Sequence, residues 1–330
     1  MLSTITVVVA ETPEGASCDL NVETSILGAD VDIVRYTDVG DERALIAACR
    51  DADVILTAYA PLTRSVIEKL RRCKLISVAA TGYSCVDLDA AADAGISVCA
   101  IDEYCTDEVA DHTILLLLSL CRRLPEYHDQ VQKENRWQYD SVSGLRRLCD
   151  MTLGLVGFGK IGQAVARRAH GFGMVMIAHD PYGDINAASD LGVRLCDLTE
   201  IFAESDIISL HCSLSTENEK LIDHNAFQSM RKQPLLINCA RGGLIDEEAL
   251  LLALDSGQIS AAGLDVLADE SPDLNASQLT GRSNVILTPH VAFYSDASIV
   301  ENRKVSARNI RNFLDGEHAK VRKYVHSAAS

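Results

Sequence analysis

Arg241, Glu270 and His290 are a cation, an acid and an imidazole, each set just beyond a short apolar run that reads as a buried strand. Arg241 follows Pro234-Leu-Leu-Ile-Asn-Cys-Ala240, and His290 follows Asn284-Val-Ile-Leu-Thr-Pro289. Glu270 lies five residues past Asp265, which closes Ile259-Ser-Ala-Ala-Gly-Leu264. In an open parallel sheet, ligands bind outside the carboxyl ends of the strands. Reduction of a 2-keto acid needs a fixed cation for the carboxylate, a proton donor at the carbonyl oxygen, and a hydride donor at near-attack distance from the carbonyl carbon. Arg241 supplies a planar, permanently charged fork. His290 is the acid/base, and Glu270 holds one of its ring nitrogens and favours its charged form. Singly, each has a plainer reading: a surface ion-pair partner, a strand-ending histidine, an acid in the polar loop Ala268-Asp-Glu-Ser-Pro272. Jointly, all three follow successive strands of one domain, and coincidence is a poor account.

The hydride donor has its own signature. Gly157-Phe-Gly159-Lys160-Ile161-Gly162 gives G-x-G-x-x-G between a strand and a helix. The first glycine permits the tight turn, the second lets backbone approach a pyrophosphate, and the third lets helix pack on strand. Alone the pattern is weak; here its context is right on both sides. The next strand ends in His179-Asp180, with Asp180 eighteen residues after Gly162. A carboxylate there accepts both ribose hydroxyls and repels a 2′-phosphate, which favours NAD over NADP. A loop carboxylate before Pro181 is the plainer alternative.

These residues need a scaffold of strand ends. Thr4–Ala10, Val31–Tyr36, Asp53–Ala58, Lys74–Ala79 and Ile96–Ala100 are short and rich in Val and Ile, with amphipathic stretches such as Glu42–Arg50 and Thr63–Arg72 between them. That rhythm reads as βαβ units. Asp107–Leu124 is apolar almost all round, as a helix buried in a core or a subunit interface would be. A second series follows the polar stretch Glu126–Asp150, with strands at Thr152–Val156, Met174–His179, Ile207–His211, Leu235–Cys239, Ser260–Val266 and Asn284–Leu287. A last helix, Ser295–Leu314, stops at Asp315-Gly316. The expected fold is α/β: two doubly wound parallel-sheet domains, Rossmann- and flavodoxin-like, joined by a hinge over a cleft. Residues 101–292 would bind the dinucleotide; residues 1–100 and 293–330 would form a discontinuous substrate-binding domain.

Composition narrows the class. The 330 residues suffice for two cores, and a formal net charge of −17 argues against nucleic acid or an anionic membrane as partner. Arg303, Lys304, Arg308 and Arg311 recur at helical spacing and read as a solvated face. The eleven cysteines are odd in number and contain no C-x-x-C pair, which fits thiols packed in a reducing compartment rather than a disulfide or metal framework. Met1–Ala10 lacks a basic n-region and reads as a first strand, and the longest apolar run, Ile114–Leu120, is too short to span a bilayer. A cytoplasmic location and no metal are expected.

Gly154-Leu-Val-Gly-Phe-Gly-Lys-Ile-Gly162, Ile237-Asn-Cys-Ala-Arg-Gly-Gly-Leu-Ile-Asp246, Ala262-Gly-Leu-Asp-Val266 and Thr288-Pro-His290 together resemble the signatures of the D-isomer-specific 2-hydroxyacid dehydrogenase family. The resemblance covers nearly the whole chain. It implies that Arg241 binds substrate, Glu270 is the acid partner, His290 is the acid/base and Asp265 holds the nicotinamide carboxamide. It further implies a cofactor surface that includes Cys239, Ala240 and His211, and a homodimer joined through the NAD domain. In that family a glycine-rich loop of the first lobe binds the substrate carboxylate through backbone N–H groups. The matching stretch is Ala80-Thr-Gly-Tyr-Ser84, which nominates Gly82 and Tyr83, with Tyr59 bordering the same pocket; a simple strand-to-helix turn fits that stretch about as well.

Tyr104-Cys-Thr-Asp-Glu-Val-Ala-Asp-His112 and Pro289-His-Val-Ala-Phe-Tyr-Ser295 resemble the C-terminal-binding-protein branch and its bacterial relatives. Phe293 stands where that branch commonly has tryptophan, and His211-Cys-Ser213 replaces a familiar His-Cys-Pro. Formate dehydrogenases of this superfamily lack an acid paired with the histidine, so Glu270 argues against that activity. Phosphoglycerate dehydrogenases bring basic residues to the phosphate from the first lobe, and the loop around Gly82 carries none. A small unphosphorylated acid is expected: glyoxylate, hydroxypyruvate or a lactate-like compound. The alternatives are phosphoglycerate dehydrogenase and a dimeric NADH-sensing scaffold, corepressor-like, with little turnover.

Overall fold

The computed structural model describes residues 4–11 and 19–328. Met1–Ser3 and Cys18, read above as part of the first strand and as one of the thiols, lie outside the described residues. The strands in chain order are β1 (Ile5–Ala10), β2 (Val31–Tyr36), β3 (Val54–Thr57), β4 (Leu75–Val78), β5 (Ser97–Ala100), β6 (Thr152–Val156), β7 (Val175–His179), β8 (Val193–Leu195), β9 (Ile207–Leu210), β10 (Leu235–Asn238), β11 (Ala261–Leu264), β12 (Val285–Leu287) and β13 (Tyr324–His326). The chain divides into two compact units, Met1–Cys105 with Ser295–Ser330, and Thr106–Tyr294.

The first unit holds the sheet β13-β5-β4-β3-β1-β2. Without β13 its order is the 2-1-3-4-5 of flavodoxin-like folds, and those strands pair in parallel. β3, β4 and β5 are buried at every position, as strands covered on both faces must be. β13 has no sequence forecast. It is three residues long, half-buried, and follows the basic run Lys320–Lys323, so no apolar periodicity marks it. Pairing decides it: β13 runs antiparallel to β5, with Tyr324 opposite Cys99 and His326 opposite Val98. The helix Asp296–Leu314 covers one face through Ala307 and Ile310, and the Ser295 hydroxyl caps it by accepting from Ser298 N at 2.9 Å.

The second unit holds the sheet β12-β11-β10-β9-β6-β7-β8, all parallel. Its order is the Rossmann 3-2-1-4-5-6 with a seventh strand added, and its switch point lies between β6 and β9. The helix expected at Asp107–Leu124 is observed as Thr106–Cys121, and a second helix without a sequence forecast, Leu124–Gln132, follows in the stretch read as polar, the two separated by Arg123 at φ +52°. Pro125 explains the break. It has no N–H to give to Cys121, and its ring would clash with that carbonyl. The first of these helices is not buried all round, since Leu117 is fully buried while Leu115 is 54 % exposed. Gly263 lets it approach the sheet, because a Cβ there would lie 3.2 Å from Leu116 Cβ and 3.3 Å from Leu120 Cδ1. That close approach carries His112, on the same helix, to the end of β12.

Candidate active site

The glycine loop after β6 is built for a close ligand. Gly157 has φ +98°, and a Cβ there would lie 2.6 Å from the backbone of both His211 and Cys212. Gly162 opens the helix Lys160–His170 against that loop, since its Cβ would meet Gly157 O at 2.4 Å. Gly159 caps the same helix, and a Cβ there would meet nothing within 4 Å. Two glycines are thus demanded by packing and the third borders open space at a helix N-terminus, as a pyrophosphate requires. The residues present fit a dinucleotide. Lys160 is exposed and Ile161 half-buried on the first turn of that helix.

Asp180 does more than wait for a ribose. Its Oδ2 accepts from Phe158 N at 2.7 Å, inside the glycine loop, and its Oδ1 accepts from Tyr182 N at 2.9 Å. Each oxygen retains acceptor capacity for a hydroxyl. His211 presents backbone, not imidazole, to Gly157. Its ring nitrogen Nε2 shares a hydrogen bond of 2.9 Å with Ser209, and burial pushes its pKa down to about 4, so the ring stays neutral. Burial pushes the Cys239 thiol up to about 12, which makes it packing rather than a nucleophile.

Arg241 leaves the sheet after β10 on a loop that buried Asn238 ties at both ends. The Asn238 carboxamide donates to Arg241 O at 2.9 Å and accepts from Ala240 N at 3.0 Å. The guanidinium is half-buried and donates to Ala240 O at 2.6 Å; no ion pair involves it among the described residues. A permanent cation without a carboxylate partner in a half-buried position is set up for an external anion. Gly242 then packs on the next loop: a Cβ there would lie 2.0 Å from Leu267 backbone. That contact and the Glu247 carboxylate, which accepts from Ala268 N at 2.7 Å, locate the loop carrying Glu270.

His290 Nδ1 lies 2.8 Å from Glu270 Oε2. A carboxylate only accepts, so Nδ1 carries the hydrogen and Nε2 is left for proton exchange. Phe293 stands edge-on to the imidazole, with centroids 5.9 Å apart at 87°, and keeps an aromatic wall where the indole was expected. His290 sits at φ +50°, a left-handed conformation that costs of order 1–3 kcal/mol in a non-glycine residue. Asp265 holds it there. His290 N donates to Asp265 O at 2.7 Å, Val291 N to Asp265 Oδ1 at 2.9 Å, and Ala292 N to Asp265 Oδ2 at 2.9 Å. Thr288 Oγ1 adds a fourth bond, to Oδ1 at 2.6 Å. The Asp265 side chain is wholly enclosed and is first of all the anchor of this loop.

In the first unit, Gly82 and Tyr83 lie on the turn after β4, and Tyr59 is 59 % exposed after β3. The turn is clamped from the far end of the chain. Asn302 donates to Ala79 O at 2.8 Å, Lys323 Nζ donates to Thr81 O at 2.6 Å, and the same ammonium lies 5.6 Å from the Tyr83 ring centroid. The loop itself carries no basic residue, and Lys323 reaches it from the segment before β13.

Residues 114–292 match the family described as D-isomer specific 2-hydroxyacid dehydrogenase, NAD binding domain. A hydroxypyruvate reductase of Blautia hydrogenotrophica is 34 % identical over 290 residues, which cover 86 % of this chain and 89 % of that protein. The chain belongs to the D-isomer-specific 2-hydroxyacid dehydrogenase family. A D-3-phosphoglycerate dehydrogenase of Methanocaldococcus jannaschii is 36 % identical over 83 % of this chain, which spans only 52 % of that relative. The D-lactate dehydrogenase of Aquifex aeolicus, solved with NAD and lactic acid, superposes with TM-score 0.85 at 31 % identity, covering 97 % of this chain and 98 % of that one. The chain is therefore an NAD-dependent oxidoreductase acting on CH–OH groups.

Within that family frame, the sequence nominated Arg241, Glu270 and His290 and overlooked the residues that hold their loops. Asn238, Gly242, Glu247 and Thr288 sit inside or beside the quoted motifs, so their neighbours were the available signal. His112 closes a quoted segment but its partner lies far away in sequence, and Asn302 and Lys323 contact distant loops and left no local mark.

Proposed function

We propose that the chain is a D-2-hydroxyacid dehydrogenase for a small unphosphorylated acid, with glyoxylate, hydroxypyruvate or a lactate-like compound favoured. The observation that carries this is the His290–Glu270 pair of 2.8 Å, whose Glu270 loop adjoins that of an arginine with no acidic partner among the described residues. In this reading Arg241 grips the substrate carboxylate with two parallel N–H bonds. Glu270 keeps hydrogen on Nδ1 of His290, so Nε2 delivers its proton to the carbonyl oxygen. Bound NADH supplies the hydride to the carbonyl carbon, completing the hydroxy acid. In the reverse direction neutral Nε2 takes the hydroxyl proton. Gly157, Gly159, Lys160, Ile161, Gly162, Asp180, Ala240 and Asp265 serve the cofactor, with His211 and Cys239 contributing through packing and backbone. Gly82 and Tyr83 serve the substrate carboxylate, and Tyr59 borders it. The second unit is then the NAD domain and the first the substrate domain.

Lys323 favours a second reading. It adds a cation to the Thr81–Tyr83 turn, which suits an acid with a further anionic group, as in a phosphoglycerate dehydrogenase. We further propose a homodimer in a reducing, cytoplasmic setting. Trp137, Tyr139 and Leu115 are 91 %, 89 % and 54 % exposed, apolar side chains of the kind a second copy covers. Burial pushes the thiols of Cys49, Cys99 and Cys121 up to about 11 and that of Cys73 up to about 12, so they stay inert. The likeness to the C-terminal-binding-protein branch rests on the two segments quoted above. Steady-state NADH oxidation with a panel of 2-keto acids, phosphorylated and not, tests the reading. Rapid turnover of one small acid supports it. A phosphorylated acid turned over best supports the second reading, and tight NADH binding without turnover points to a sensor and overturns both.

A further inference from the structure

We propose that His112 is a positioning residue of the catalytic loop, acting through Thr288 and Asp265 on His290. The inference deepens the reading of His290 as the acid/base and rests on it. His112 Nε2 lies 3.0 Å from Thr288 Oγ1, and Thr288 Oγ1 lies 2.6 Å from Asp265 Oδ1. The hydrogen positions follow from counting. Asp265 also accepts from Val291 N and Ala292 N, so its carboxylate acts as acceptor throughout. Thr288 has one hydroxyl hydrogen and gives it to Asp265, so its oxygen accepts from His112. Nε2 of His112 therefore carries hydrogen, and one tautomer is selected.

The placement gives this chain of bonds its purpose. Asp265 is wholly enclosed, and among the described residues the one basic side chain within ion-pair distance is His112, at 3.6 Å. The bonds it makes run to the two backbone N–H groups that immediately follow His290, a residue in left-handed backbone that its own side chain does not favour. If Asp265 turns, the N–H groups of Val291 and Ala292 lose their acceptor, and His290 swings away from Glu270. Thr288 stops that rotation, and His112 orients Thr288. The helix Thr106–Cys121 can deliver His112 to this point because Gly263 leaves room for Leu116 and Leu120 on the sheet.

Side-chain shape supplies the test. Gln in place of His puts an amide N–H close to where Nε2–H lies, whereas Leu has the bulk and no donor. Thr288→Ser keeps the relay hydroxyl and Thr288→Val removes it. In the protein without cofactor, long-range 1H–15N spectra should show His112 with hydrogen on Nε2, and Thr288→Val should erase that preference. In turnover, His112→Leu and Thr288→Val should each lower kcat roughly tenfold, the scale of losing one hydrogen-bonded support. The double variant should be no worse than either single one, as for members of one network. His112→Gln should recover most of the loss. Unchanged kcat in His112→Leu, or losses that add and that Gln does not rescue, would overturn the proposal. His290→Ala, measured beside them, separates the two claims: if it keeps turnover, the acid/base reading has failed, whatever the spectra report for His112.

Discussion

Two loops that follow parallel strands are held in opposite ways. The loop after β12, carrying His290, is anchored by Asp265 at the end of the adjacent strand, 25 residues earlier in the chain. The turn after β4, carrying Gly82 and Tyr83, is anchored by Asn302 and Lys323, whose bonds bridge 223 and 242 residues. The first has its main anchor 25 residues away in the same stretch of sequence, with His112 reaching Thr288 from 176 residues away. The second exists only once the C-terminal helix and β13 have docked on their sheet. The proposed acid/base thus sits on the loop with the nearer anchor, and the turn proposed for substrate depends on the C-terminal helix and the segment before β13.

The contrast can be broken at either end. His290→Ala should remove the acid/base and lower kcat by roughly 10²–10⁴, the usual worth of a positioned proton donor. NADH affinity, read by fluorescence titration, should hold, and unchanged turnover would refute the assignment. Acid should test the end of β9 in the same sheet. His211 has its pKa lowered to about 4 in the folded chain against an ordinary 6.5, so the unfolded chain binds the extra proton first. Stability is then unaffected above pH 6.5, falls as pH drops from 6.5 toward 4, and loses at most about 3 kcal/mol in that window. Thermal melts of His211→Asn against the parent should be flatter across that range.

Arg241→Lys replaces a fork by a point charge and should lower kcat/KM for the keto acid by roughly 10–100-fold with little change in NADH binding. Asp180→Ala should relax the preference for NAD over NADP. Because Asp180 also holds Phe158 N, the affinity for NADH should fall together with the selectivity, by about tenfold if one charged hydrogen bond is lost. The smallest effect belongs to the second loop. Lys323→Met should raise KM for the keto acid by about threefold to tenfold, the worth of one such bond, and leave kcat nearly intact. A kcat loss as deep as that of His290→Ala would erase the distinction between the loops. A much larger KM effect for phosphorylated than for unphosphorylated acids would instead favour the second substrate reading.

Much of the architecture was legible because strands buried on both faces need apolar runs, and those runs stand out. β2 and β6 are observed at the expected bounds, and β10 lies within Leu235–Cys239. The strand ends then placed Arg241, Glu270 and His290 at one edge of one sheet. What escaped was short or relational. β8 has three residues with Arg194 exposed between its neighbours, and β13 is half-buried and follows a basic run. The helix Leu124–Gln132 escaped because its stretch is charged and polar, with no apolar periodicity to mark it.

Sequence alone determined which groups can do chemistry and on which strand ends they ride, because burial and turn geometry write period and glycine into neighbouring residues. Only the tertiary structure decided how those groups are held. It gave Nδ1 of His290 to Glu270, closed Asp265 around the following backbone, and brought His112 and Lys323 to loops far from them in the chain. A hydrogen bond between distant residues constrains direction and distance in space, and no periodicity along the chain records either.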